Sequence, residues 1–141
     1  MTFAGINYLA VLIAALAGFG FGAVYYILLA RPWMNAIGWT PEEQAAHKRG
    51  QLYSTRLPFL IGIAANLIMA WVLAGLIAHM GAITVRNGII SAAFAWLGFV
   101  VTTLSVNYAF GNRKPMLTVI DGAHWLGSLV VMGAVIGGFG S

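Results

Sequence analysis

The sequence has no cysteine and very little charge. Without thiols, disulfides, thiolate metal sites and a cysteine nucleophile are all excluded. Charged residues make up 7% of the 141, and only three of them are acidic. Ordinary soluble domains carry about 25% charged and 45–50% apolar residues. This chain is 61% hydrophobic with a mean hydropathy of +0.90, which takes it out of that class. The alternation of a membrane β-strand is missing too, as are a nucleophile elbow, a phosphate-binding loop and a zinc-protease pattern. Ala15-Leu16-Ala17 resembles a signal-peptide cleavage site, but no Lys or Arg precedes Arg31. The apolar stretch also runs on past that site, so the first run reads as a retained helix.

What the chain does have is four apolar runs, at residues 6–30, 57–80, 88–110 and 116–139. Each exceeds the ~20 residues that a helix rising ~1.5 Å per residue needs to cross ~30 Å of hydrocarbon. The expected fold is all-α: a single integral membrane domain over residues 1–141, built as a four-helix bundle. Charge predicts its orientation. Arg31, Lys48, Arg49 and Arg56 fall in the first loop, Arg113 and Lys114 in the third, and only Arg86 in the second. Basic loops stay inside, so loops one and three are expected in the cytoplasm and both termini outside. The net charge of +4 then marks topology and attraction to anionic headgroups of the lipid bilayer. No basic stripe interleaved with aromatics points to nucleic acid.

The second and third connections are tight, so helices two, three and four are expected as antiparallel neighbours. The first loop has structure of its own. Arg31-Pro32-Trp33 places a charge, a helix breaker and an interfacial aromatic at the end of helix one. Thr40-Pro41-Glu42-Glu43 reads as a helix start, with Thr40 as N-cap, Pro41 at the first position and Glu43 closing a capping box. A short interfacial helix over 41–53 follows from this, with Lys48 and Arg49 complementing its negative end. His47 reads as a surface residue of that helix and His79 as an interfacial one. Trp33, Trp39, Trp71 and Tyr53 read as belt or packing residues, with Trp96 and Trp125 deeper.

Ala14, Gly18 and Gly22 form a small-residue ridge on helix one, and Gly133 with Gly137 repeats the spacing on helix four. Such ridges let backbones approach closely where lipid supplies no hydrophobic drive between helices. Packing inside one subunit, assembly into a homo-oligomer and docking of another membrane protein are all open to them.

Asp121 is the informative polar residue, because a carboxylate inside such a run costs roughly 2.5–3.5 kcal/mol on insertion scales. His124 and Ser128 share its helix face, Thr103 and Asn107 lie together on helix three with Thr102 and Ser105 nearby, Asn66 is on helix two, and Tyr25 and Tyr26 end helix one. Counting ~1.5 Å per residue from the cytoplasmic ends puts Asn107 and Asp121 roughly 5–8 Å deep, and His124 and Asn66 roughly 12–14 Å deep. One polar cluster joining these helices is therefore expected. Three readings of it stand open. It can tie helices together, with Asp121 bonded to Asn107, Tyr25 or Arg113. It can carry protons or a small solute through Asp121 and His124. As a catalytic or metal site it is short of ligands, since only His47, Glu42 and Glu43 could be added to Asp121 and His124. No metal, cofactor or catalytic residue is expected.

Several fragments resemble one family. They are Asn7-Tyr8-Leu9-Ala10-Val11, Pro32-Trp33-Met34, Trp96-Leu97-Gly98-Phe99 with Thr102-Thr103, Asn107-Tyr108 and Ile120-Asp121-Gly122. Together they are similar to the bacterial membrane family known as domain of unknown function 1761. In that family a Ser-Pro pair follows the aromatic pair of helix one, where this chain has Ile27-Leu28 after Tyr25-Tyr26. The resemblance implies a small bacterial inner-membrane protein and brings no activity with it.

Overall fold

The computed structural model describes residues 2–3, 5–50 and 56–140. A two-rung antiparallel ladder opens the chain, β1 (Thr2–Phe3) on β2 (Ile6–Asn7), and all other regular structure is helical. Asn7 then caps α1 (Tyr8–Leu28), its side-chain oxygen accepting the amides of Leu9 and Ala10 at 3.1 and 3.2 Å. Those amides have no partner inside the helix, and the cap supplies one.

The helix breaks at Leu29 and restarts as α2 (Ala30–Ile37). The break therefore occurs here without a Ser-Pro pair. Pro32, expected to end a helix, lies in the first turn of α2, where its missing N–H costs nothing. Gly38, in the left-handed region at φ 88°, closes α2. Next comes α3 (Pro41–Lys48), opened by the capping box: the Thr40 amide donates to Glu43 at 2.7 Å and the Glu43 amide to the Thr40 hydroxyl at 3.2 Å. The helix expected over 41–53 thus closes at Arg49, and residues 51–53 of that stretch, Tyr53 among them, lie outside the described residues.

Four rods are long and apolar enough to cross a membrane. They are α1; α4 (Arg56–His79); the continuous stretch Val85–Phe110; and α7 (Pro115–Phe139). The third rod is not uniform. It is α5 (Val85–Ala95), a π turn at Trp96–Val100, and α6 (Val101–Phe110). Its extra N-terminal turn, missed by hydropathy, is capped by Thr84, whose hydroxyl accepts the Asn87 amide at 3.2 Å.

The rods gather on α7. Half of its most apolar stretch is buried, against 28% for α1 and α4 and 11% for Val85–Phe110. Leu129, Met132 and Ile136 of α7 meet Val11 and Ala14 of α1, Ala70, Leu73 and Ile77 of α4, and Ala92 of α5 in one core. Glycine makes the approach possible. A Cβ added to Gly88 or Gly133 would strike the other's backbone carbonyl, and one on Gly137 would strike that of Thr84. Gly18 faces Met132, and Gly127 faces the ring of Phe21. Both ridges read from the sequence are therefore filled within one chain.

Gly133→Val and Gly88→Val should each lower stability by at least about 1–3 kcal/mol, the usual cost of overpacking, and here the obstacle is backbone. Gly20→Ala meets nothing within 4 Å and should be neutral or slightly stabilising. Thermal unfolding in one detergent, with all three variants side by side, checks the contrast.

Candidate functional site

Polar atoms collect along one edge of α7, between α1, α4 and α6. Asp121 is 7% exposed, His124 6%, Asn66 5% and Ser128 0%, so solvent screens none of them. A buried carboxylate must be surrounded by donors. Two tyrosines provide them. The Tyr26 hydroxyl of α1 donates to Asp121 Oδ1 at 2.7 Å, and the Tyr108 hydroxyl of α6 donates to Oδ2 at 2.6 Å. Two further bonds bracket the pair on the α7 backbone. Tyr25 donates to the carbonyl of Ile120 at 2.8 Å, and Trp96 Nε1 donates to that of Gly122 at 2.8 Å. Three consecutive residues of α7 thus bind side chains from three different segments.

His124 lies beneath this clasp. Its ring centroid lies 4.6 Å from those of both Tyr26 and Trp125 and 5.6 Å from that of Tyr25, in tilted or edge-on contacts. Gly22 leaves the room for it, since a Cβ there would come within 2.6 Å of His124 Nε2. Ser128 Oγ is 3.4 Å from that nitrogen and 3.4 Å from the carbonyl of Gly18. A hydroxyl has one proton. With that proton on the Gly18 carbonyl, Nε2 carries the hydrogen that Ser128 accepts, and Nδ1 is a bare base; this tautomer follows from the bonding network. Among the described residues His124 Nδ1 has no partner, and neither has Asn66 Oδ1, although the Asn66 amide nitrogen donates to the carbonyl of Gly62 at 2.8 Å. Polar groups thus run from Asp121 past His124 and Ser128 to the Gly18–Asn66 contact, with two unmet acceptors among them.

The residues read from the sequence divide in two. Asp121, His124, Asn66 and Tyr25 are gathered here, with Tyr25 on the backbone beside the carboxylate. Thr103 and Asn107 are exposed on the other side of α6, where with Thr102 and Val106 they line a shallow groove. Their place opposite α7 is taken by Leu104 and Tyr108. The π turn is the reason. Asn107 lies eleven residues beyond Trp96 and Tyr108 twelve. At ~100° per residue, an unbroken α-helix would put Asn107 about 20° from Trp96 and Tyr108 about 120° away. A π turn absorbs one extra residue. It brings Tyr108 to about 20° and carries Asn107 to about 80° on the far side. Trp96 and Tyr108 can then grip adjacent residues of α7.

Sequence reading missed Tyr26 and Tyr108 as the partners of Asp121. Spacing alone does not tell which of the adjacent Tyr25 and Tyr26 reaches the carboxylate, and no regular phase that aligns with Trp96 puts Tyr108 inward. Among the described residues, no three His, Asp or Glu side chains converge as a metal site requires. The family model for the protein of unknown function DUF1761 matches residues 9–137. The chain belongs to that family. The match takes in the whole clasp, from Tyr25 and Tyr26 to Asp121 and Ser128. The chain matches no curated protein and no solved structure.

Tyr26→Phe and Tyr108→Phe should each destabilise the protein by about 1–2 kcal/mol, since each leaves one carboxylate oxygen without its donor. The double variant should cost more than the two losses added, because no hydroxyl then faces the charge. A double-mutant cycle by detergent or steric-trap unfolding checks both statements.

Proposed function

We propose that this protein is a four-helix bundle of the bacterial cytoplasmic membrane with both termini outside, and that it serves as a structural or accessory component. Asp121 ties its helices together and neither binds a substrate nor turns one over. The observation that carries this reading is that both oxygens of Asp121 are filled by hydroxyls from two other helices. A carboxylate so engaged has no free face for a solute. The uneven loop charge supports the orientation, with six basic residues in the first and third connections and one in the second. The glycine ridges are filled within one chain, so assembly with further copies, or with a partner protein, would use other surfaces.

A second reading has its own observation. The partnerless His124 Nδ1 and Asn66 Oδ1 leave the interior short of donors, as a proton or small-solute path would. Asp121→Asn separates the two, since it removes the charge and keeps the shape. The tie predicts weaker assembly and a melting point lower by several degrees, with proton and solute flux into proteoliposomes equal before and after the substitution. Flux by the parent protein that Asp121→Asn abolishes, with the fold intact, would overturn it in favour of transport.

A further inference from the structure

The helix that supplies Tyr108 carries two faces that can meet α7, and the π turn decides which one does. Leu104 and Tyr108 form the inner face. Thr103 and Asn107 form a second face one residue, or ~100°, around the helix. On an unbroken helix that second face aligns with Trp96 and therefore points at α7. We propose that α6 is a two-position element: loss of the π turn at Trp96–Val100 rotates it by ~100°, withdraws Tyr108 from Asp121 and brings Asn107 opposite the carboxylate.

Three observations support this. The carbonyls of Gly98 and Phe99, inside the π turn, accept the hydroxyls of Thr102 and Thr103 at 2.9 and 2.5 Å, and that of Val101 accepts Ser105 at 2.6 Å. Hydroxyls placed four residues on supply donors to carbonyls whose regular bonds are disturbed, and they ease local changes of helix type in apolar surroundings. Gly98 sits in the middle of the turn with nothing within 4 Å of where a Cβ would be, so backbone there moves without a clash. At the other end, α6 runs into a short turn where Asn112 is left-handed at φ 52°. That turn can take up the ~1.5 Å by which the rotated helix lengthens.

The rotated position changes the clasp chemically. Asn107 is shorter than Tyr108 and brings an amide in place of a phenol. It leaves a gap beside Asp121 that water can fill, while Tyr26 still holds the other oxygen. The device is independent of whether Asp121 serves as a tie or carries protons. It sets when the carboxylate is closed off and when it is wetted.

A chain without cysteine allows a direct test by oxidative cross-linking in membranes. Leu117 belongs to the buried cluster against which Tyr108 packs, so Tyr108→Cys with Leu117→Cys reports the position seen here. Asn107→Cys with Leu117→Cys reports the rotated one. The rotated pair should cross-link in the otherwise unaltered chain and lose at least about tenfold in rate when Gly98 is deleted. The deletion removes the spare residue and fixes the Tyr108 face inward. Adding Tyr108→Phe to the Asn107→Cys/Leu117→Cys chain should raise its rate about tenfold, as expected when one bond to a charged group no longer holds the closed position. No cross-link of the rotated pair, an equal rate with and without Gly98, or no response to Tyr108→Phe would each overturn the proposal. Should the deletion fail to fold, the Tyr108→Phe comparison decides alone.

Discussion

A carboxylate in an apolar interior has to be bonded on both oxygens, and the arrangement of this protein follows from meeting that demand. Asp121 is reached by Tyr26 from one helix and Tyr108 from another, so while both bonds are made the rotation and height of α1 and α6 against α7 are set. Measured bonds between membrane helices are worth only ~0.6 kcal/mol on average, so a single such bond would not hold a fold. The gain here is specificity. Any slip or rotation of either helix strips a hydroxyl from a buried charge, and the penalty for an unmet charge exceeds the benefit of a met one.

The glycines make that demand attainable. A tyrosine hydroxyl can reach across only if the backbones stand close. Gly22 sits where His124 needs space, Gly127 where Phe21 does, and Gly88 and Gly133 remove the side chains that would hold α5 off α7. The tight contacts extend from Gly22 against His124 to Gly137 against Thr84, so α7 is held close to its neighbours from His124 to Gly137. Close packing also explains why the acceptors of His124 and Asn66 stand out, since they alone among the buried side-chain groups of the described residues lack a partner.

Much of this was legible from the residues. Composition and run length give the four long helices to within a few residues, because apolar length is a property of each segment alone. The capping box at Thr40 and Glu43 is equally local. Asp121, His124 and Asn66 announce themselves by polarity inside apolar runs. Whatever depends on phase was not legible. Polarity, a spacing of four and depth put Thr103 and Asn107 in the expected cluster, but the side that they present depends on the π turn at residues 96–100, which none of these reveals. Pro32 was taken as an end because proline interrupts helices, yet the break at Leu29 puts it in a first turn. The close approaches at Gly88 and Gly127 were not legible either, since their partners, Gly133 and Phe21, are remote in sequence.

The π turn and the clasp explain one another. A π turn is a poorer helix and persists where something outside it gains. Here the gain is that Trp96 and Tyr108 face the same way, one bonding the carbonyl of Gly122 and the other the side chain of Asp121 next to it. With the same residues in an unbroken α-helix, one of the two bonds must be given up. In the other direction, without Asp121 only packing against Leu117 and Ile120 would favour Tyr108 inward over Asn107, whose amide suits a polar interior as well. The charge on α7 thus selects the register of α6, and the register keeps the charge covered. Such mutual dependence makes the two features change together, so a perturbation at either end of α6 is felt at Asp121.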